Sequence, residues 1–237
     1  MCVQSPRHVV NFLRGVHGGK PVVLREDFCG TGAVARRWVE DGEKAEGGAR
    51  AVGVDLDEEV LARGTREAMT AGIADRVRLV RGDAVTGADE DGADVIFVGN
   101  FSIGEIHQRG RLIEYLRRCR DRLAHGNGGF GGGVFVCDTY GGAGAWRLGN
   151  MERTHIGRNG EVVKYLWEHE VADPMTGMVR NSISFRVIEN GELTQQVPRA
   201  FVYEWRLWSI AELTEAMLEA GFASVAVHKE VNMAPGE

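Results

Sequence analysis

Leu24-Arg25-Glu26-Asp27-Phe28-Cys29-Gly30-Thr31-Gly32 is the stretch that decides how this chain folds. The apolar run Val22-Val23-Leu24 leads into it, and Ala33-Val34-Ala35-Arg36-Arg37-Trp38 leaves it as the start of a helix. Strand, glycine turn and helix in that order make a nucleotide-sized pocket at the carboxyl end of a first strand. Gly30 and Gly32 lack a Cβ, so the turn can take left-handed angles and a ligand can approach the main chain closely.

Outward from this turn the pattern alternates. Residues 6–17 form a helix with Val9, Val10, Leu13 and Val16 at helical spacing; 22–27 is the first strand and 33–41 the first crossover helix. A second strand covers 51–55, and Asp57 caps the helix that follows over 58–71. Residues 76–83 alternate apolar and basic, a less buried third strand. Residues 93–100 hold the continuous apolar run Val95-Ile96-Phe97-Val98, as in a central strand covered on both faces. A helix at 111–124 buries Leu112, Leu116, Cys119 and Leu123, and 133–138 is a fifth strand. Such alternation predicts an α/β fold with a doubly wound, mostly parallel sheet.

After the fifth strand the period changes to two. Residues 162–171, 179–188 and 199–207 alternate, with Asp173-Pro174-Met175-Thr176-Gly177 and Asn190-Gly191 as turns. They predict an antiparallel β-meander of three or four strands, inserted at about residues 152–207 of a single domain spanning 1–237. If its first turn centres on Met175, Tyr165 lies near Phe185 and Trp167 near Ile183, with His169 and Asn181 on the same face. Phe201, Tyr203, Trp205 and Leu207 share one side of the last strand. Ser209-Ile210-Ala211-Glu212 is a capping box, followed by the stripe Ile210, Leu213, Met217 and Ala220 and a stop at Gly221. Residues 223–231 read as the last strand.

Composition narrows the function. The chain has 237 residues, 43% apolar and 26% charged, the balance of an ordinary globular protein. A net charge of −6 argues against a protein that grips nucleic acid by neutralising phosphates. Arg117-Arg118-Cys119-Arg120 reads as a solvated helix face. The four cysteines show neither metal-ligand spacing nor a disulfide framework, so no metal is expected. With no charged-then-apolar leader and no membrane-length apolar run, a cytoplasmic setting without a membrane partner is expected.

Polar residues gather at the predicted strand tips. Glu26 ends the first strand, Asp55 the second, Gly82-Asp83-Ala84 the third, and Gly99-Asn100-Phe101-Ser102 the central one. A carboxylate at the second tip, about 20 residues past the glycines, is placed to accept hydrogen bonds from a ribose diol. Convergence of these groups on one sheet edge marks a binding crevice.

This pattern resembles the class I S-adenosylmethionine-dependent methyltransferases, and LREDFCGTG, NFS (Asn100-Phe101-Ser102), Asp138-Thr139-Tyr140-Gly141-Gly142 and Trp205-Arg206-Leu207-Trp208 resemble one uncharacterised bacterial and plant branch of them. The resemblance implies S-adenosyl-L-methionine as cofactor. It places Glu26, Phe28, Cys29, Gly30, Thr31 and Gly32 around the glycine turn, Asp55 and Leu56 at ribose and adenine, Asp83 and Ala84 at the adenine amino group, and Asn100, Phe101 and Ser102 at the transfer site. Two residues depart from the family pattern: Phe28 stands at its first glycine, and Asp27 where an apolar residue is usual. The family's sheet closes with a seventh strand, for which the sequence beyond Gly221 has no room. An unpaired edge at strand five, open to an oligomeric partner, is therefore expected.

Methyl transfer from a sulfonium is an in-line displacement, in which the cofactor supplies reactivity and the protein supplies alignment. Holding the acceptor in line can account for ~7–11 kcal/mol of barrier. Candidates for proton transfer or acceptor contact are Tyr140, His107 and Glu105. The acceptor expected is a small molecule methylated on N or O. Gly30-Thr31-Gly32-Ala33-Val34-Ala35 also fits GxGxxA, so an NAD(P)-dependent dehydrogenase is one alternative, and a non-catalytic cofactor-binding protein is another.

Overall fold

The computed structural model describes residues 5–42, 48–87, 92–124, 132–157 and 159–228. Cys2, most of the glycine-rich stretch 126–133 and residues 229–231 of the expected last strand lie outside them. The described chain divides into two compact units. One comprises residues up to Ile103, Gln108–Asp138 and the chain from Ile210 onward; the other comprises Gly104–His107 and Thr139–Ser209.

The first unit is an α/β layer structure. Its parallel sheet has the order β3-β2-β1-β4-β5, from Val77–Arg81, Arg50–Asp55, Val23–Asp27, Val95–Val98 and Val134–Cys137. Helices α1 (Pro6–His17), α2 (Ala33–Asp41), α3 (Glu58–Thr70), α4 (Arg109–Arg122) and α5 (Ile210–Ala220) belong to the same unit. β1 pairs with β2 on one side and β4 on the other, with Leu24 opposite both Ala51 and Val95. Strand order therefore reverses between β1 and β4, and the crevice beyond their carboxyl ends is where such sheets take ligands. Leu24, Val95, Ile96 and Val98 are fully buried, as the apolar runs require.

Local chemistry explains the elements. Asp57 Oδ1 accepts from the amides of Glu59 and Val60, so α3 starts where the sequence placed its cap. Two donors at the end of α5, Gly221 N–H to Leu218 O (3.0 Å) and Phe222 N–H to Met217 O (3.1 Å), form a Schellman stop with Gly221 at φ 98°. Two expectations fail here. Ile210 is half-exposed, and Ala216 takes its place in the buried stripe with Leu213 and Ala220. Residues 223–228 form no strand, and Val227 among them is 54% exposed. Among the described residues β5 has β4 as its sole strand neighbour.

The second unit is an antiparallel sheet in the order β6 (Gly149–Ile156), β7 (Val162–Asp173), β8 (Met178–Glu189), β9 (Glu192–Arg206). Asn190 (φ 52°) and Gly191 (φ 84°) make the left-handed pair that a tight hairpin requires. The register is the one read from the turn at Met175: Tyr165 faces Phe185, Trp167 faces Ile183 and His169 faces Asn181. Leu207 falls beyond the end of β9, where its amide bonds to Gly177 O (2.8 Å).

Candidate functional site

Every residue that the sequence assigns to the cofactor lies in the first unit, and the three assigned to proton transfer lie in the second. In the first unit Phe28, Val54, Asp55, Leu56, Gly82, Asp83 and Ala84 line one cleft. Its chemistry is mixed in a useful way: apolar side chains at Phe28, Val54 and Leu56, with two carboxylates among them. Leu56 is 66% exposed, a large apolar side chain at the surface beside a cleft that a flat ring would cover.

The turn is fastened from several sides. Gly30 N–H donates to Asp55 Oδ2 at 2.7 Å, and Asp57 N–H donates to Asp55 Oδ1 at 3.0 Å. Asp55 thus ties the glycine turn to the tip of β2 as well as facing the cleft. Gly30 sits at φ 54° with open space where a Cβ would be, and Gly32 at φ 64°. Phe28 also takes a left-handed angle, φ 57°, and its ring meets Tyr115 edge-on at 6.5 Å. The ring both lines the cleft and packs against the unit's interior.

Close packing beneath the turn depends on missing side chains elsewhere. A Cβ at Gly53 would lie 2.7 Å from Cys29 Sγ, and one at Gly64 would collide with the Thr31 carbonyl oxygen. Cys29 is accordingly buried, its thiol turned into the packing, with burial holding its pKa far above the ordinary thiol range. Glu26 lies below the turn, where Ala35 N–H in the first turn of α2 donates to its Oε2 (2.8 Å). Burial pushes its pKa up to about 8, against the opposing pull of that amide and of Arg36. Asp27, the anomalous acid, is completely buried between Arg25 Nε (2.8 Å) and the Tyr115 hydroxyl (2.8 Å). It fills an interior place with an ion pair, and its pKa is raised by burial, Arg25 pulling the other way.

At the tip of β4, Asn100 (φ 54°) and Phe101 (φ 62°) are consecutive left-handed residues. Their amides donate to Asp138 Oδ2 (3.2 Å) and Oδ1 (2.6 Å). Asp138 is the site residue that sequence reasoning missed. The signal was an acid directly after strand five, but nothing in the sequence shows that Phe101 adopts an angle such side chains avoid. Asp83 Oδ1 accepts from Val85 N–H (2.9 Å), which fixes the tip after β3.

In the second unit, Tyr140 accepts a hydrogen bond from Asn181 Nδ2 (2.9 Å) and packs edge-on against Trp205 at 5.8 Å. Burial raises its pKa above the usual phenol value, with the Asn181 bond opposing. Glu105 Oε1 accepts from Trp205 Nε1 (2.8 Å), and loss of water around its carboxylate raises its pKa, again with the indole opposing. His107 Nε2 lies 2.7 Å from the Glu204 carbonyl oxygen, so it ties the end of β9. No group of three or more metal-ligating side chains occurs among the described residues, and no helix among them is long and apolar enough to cross a membrane.

Comparison with known proteins agrees with this geometry. Residues 28–126 match a family described as a methyltransferase domain. No curated protein matches the sequence. Among solved structures, the chain is similar to an S-adenosylmethionine-dependent methyltransferase from Clostridium acetobutylicum (18% identity, 92% of this chain and 81% of that one, TM-score 0.68). It is similar too to the sugar N-methyltransferase KedS8 from a Streptoalloteichus species (18% identity, 92% and 80%, TM-score 0.70). A third is CalS10, an amino pentose methyltransferase from Micromonospora echinaspora (16% identity, 92% and 84%, TM-score 0.68). At these identities the likeness is one of fold: the parallel sheet with its antiparallel companion is the class I methyltransferase fold. The domain match over residues 28–126 and that fold together support a methyltransferase.

Proposed function

We propose that the chain works as one methyltransferase domain with an inserted sheet, and that it methylates a nitrogen or oxygen of a small-molecule acceptor. The observation that carries this reading is the cleft at the carboxyl ends of β1, β2 and β3, lined by Phe28, Asp55, Leu56, Asp83 and Ala84 beside a glycine turn with no Cβ at Gly30 in the way. These residues fit an adenosine: carboxylates for the diol and the amino group, apolar faces for the ring. When bound, S-adenosylmethionine supplies a methyl group on a sulfonium, and the protein needs to supply no other electrophile.

The side chains then divide the work. Asp55 holds Gly30 in place while offering its carboxylate to the ribose. Asp83 and Ala84 define the adenine edge, with Leu56 and Phe28 against the ring. Asp138 fixes the Asn100-Phe101 corner and so sets what Ser102 and its neighbours present. Glu105 and His107 are the groups able to take a proton from an acceptor that must lose one, burial making the Glu105 carboxylate more basic than usual, while Tyr140, held in its phenol form by burial, offers its hydroxyl as an acceptor contact. A small acceptor accords with the acidic net charge and with the substrates in the names of the two sugar-directed neighbours.

Calorimetry with S-adenosylhomocysteine tests the reading directly. The wild-type chain binds it, and Asp55→Ala weakens binding by ~1–3 kcal/mol, the cost of deleting a buried hydrogen-bonding partner. NAD run alongside in a thermal-shift assay gives no stabilisation. Stabilisation by NAD and indifference to the adenosyl compound would hand the cleft to a dehydrogenase.

A further inference from the structure

The run Arg117-Arg118-Cys119-Arg120 on α4 reads in sequence as a solvated face, but the structure divides it. Arg117 is exposed, Cys119 is fully buried, and Arg118 is half-buried. Arg118 Nη1 donates to the carbonyl oxygen of Val85, 33 positions earlier in the chain. Arg122, one helical turn further on, is buried, and its Nη2 would lie 3.3 Å from a Cβ at Gly87. Two guanidinium groups of one helix thus bear on the loop that follows β3.

That loop closes on itself. Asp83 Oδ1 accepts from Val85 N–H (2.9 Å), and the Asp83 carbonyl oxygen accepts from Gly87 N–H (3.2 Å). Gly87 sits at φ 108°, a backbone angle that other residues avoid. At the start of the loop Gly82 N–H donates to the Asp55 carbonyl oxygen (2.9 Å), and Gly82, Asp83 and Ala84 line the cleft. Asp83 is therefore fixed from two directions, by the strand tip before it and by Val85 after it. Val85 has its amide on Asp83 and its carbonyl on Arg118, so one residue joins a cleft carboxylate to α4. A planar guanidinium fork gives that join a direction, whereas an ammonium is a point charge on a flexible stem.

We propose that Arg118 is a positioning residue for base recognition: through Val85 it holds the Asp83 carboxylate at the cleft edge, and that placement selects a purine carrying an exocyclic amine over one carrying a carbonyl at the same carbon. The amine donates to a carboxylate, and a carbonyl oxygen in its place has no proton to give. This role rests on the adenosine reading of the cleft; Arg118 itself is not among the residues that line it.

Calorimetry on the full chain compares S-adenosylhomocysteine with S-inosylhomocysteine, which carries a carbonyl in place of the amine. The wild type is expected to bind the adenosyl compound about tenfold or more tightly. Arg118→Ala weakens the adenosyl compound about tenfold and leaves the inosyl compound within about twofold, so the preference collapses. Arg118→Lys, which keeps a donor but loses the fork, falls between the two. Arg117→Ala removes the same charge from the exposed neighbouring position and keeps the wild-type preference. Equal weakening of both compounds in Arg118→Ala, as general damage to the fold would give, overturns the proposal, and so does an adenosyl affinity that does not move. If Arg118→Ala proves unfolded by circular dichroism, Arg118→Lys decides alone, and a preference equal to that of the wild type sinks the idea. A wild type that binds both compounds alike refutes the selecting role while leaving a nucleoside site in place. One that binds neither overturns the adenosine reading itself, and this role falls with it.

Discussion

The edge of the parallel sheet and the face of the antiparallel sheet are built by opposite means. At the first, the main chain does most of the contacting: Gly30, Asn100 and Phe101 present left-handed backbone, and buried or half-buried acids hold their amides in place. At the second, side chains do it: rings laid across strands, interrupted by one polar row. The first arrangement suits a ligand that never changes, because moving any anchor moves the turn. In the second, one ring can be exchanged while the sheet beneath keeps its ladder. Rigidity in one region and exchangeability in the other are separate, measurable properties.

The contrast breaks most sharply at Asp27. Removing it with Asp27→Ala takes the buried ion-pair partner from the Arg25 guanidinium and the acceptor from the Tyr115 hydroxyl in the interior of the first unit. A loss of ~3–5 kcal/mol in denaturant unfolding is expected, the usual effect of breaking a buried pair. A loss below ~1 kcal/mol would mean that the acids under the turn do not make it rigid.

Glu26 gives a smaller effect with a signature in pH. Its pKa in the fold is about 8 against an ordinary value of 4.5, because burial penalises the charged form. Between those values the unfolded chain releases its proton and the folded chain keeps it. The stability tied to this group is therefore fully present below pH ~4.5 and is lost as the pH climbs to about 8. Glu26→Gln, neutral at every pH, keeps the low-pH stability and removes the loss on raising the pH, a span on the order of a few kcal/mol. Urea midpoints at pH 5 and pH 8 should lie closer together in the variant than in the wild type. Asp27, raised in the same direction, keeps some slope in both. An identical pH dependence in the two proteins would take Glu26 out of the account.

What the sequence made legible follows the same division. The turn, α2 at Ala33–Asp41 and the Asp57 cap were readable because glycine, helix period and capping are local. The pairing of Tyr165 with Phe185 was readable because a period of two and a single turn fix a register. Three things were not. Asp138 serves Asn100 and Phe101 across 38 and 37 positions of chain, and no local rule links an acid to a distant left-handed phenylalanine. Residues 223–228 alternate like a strand, but Val227 stays exposed, and a pattern of small side chains cannot compel pairing. The burial of Asn181, whose Oδ1 has no partner among the described residues, was invisible because a polar residue on an apolar face gives no sign of which partners the fold will supply.

The smallest expected effect is the most discriminating for the aromatic face. Phe201 is 51% exposed, lies parallel to Tyr203 at 6.3 Å and meets Phe185 edge-on at 6.4 Å. Were this ring part of a packed core, Phe201→Ala would cost ~3–5 kcal/mol, as core truncations of phenylalanine do. As one exposed ring in a stack it contributes roughly 0.5–1.5 kcal/mol through ring–ring contact. Thermal unfolding of Phe201→Ala should therefore stay within a few degrees of the wild type, and S-adenosylhomocysteine affinity should not move. A core-sized loss would show that the rings of β9 hold the sheet together, and the division between a fixed edge and an exchangeable face would be wrong on the second count.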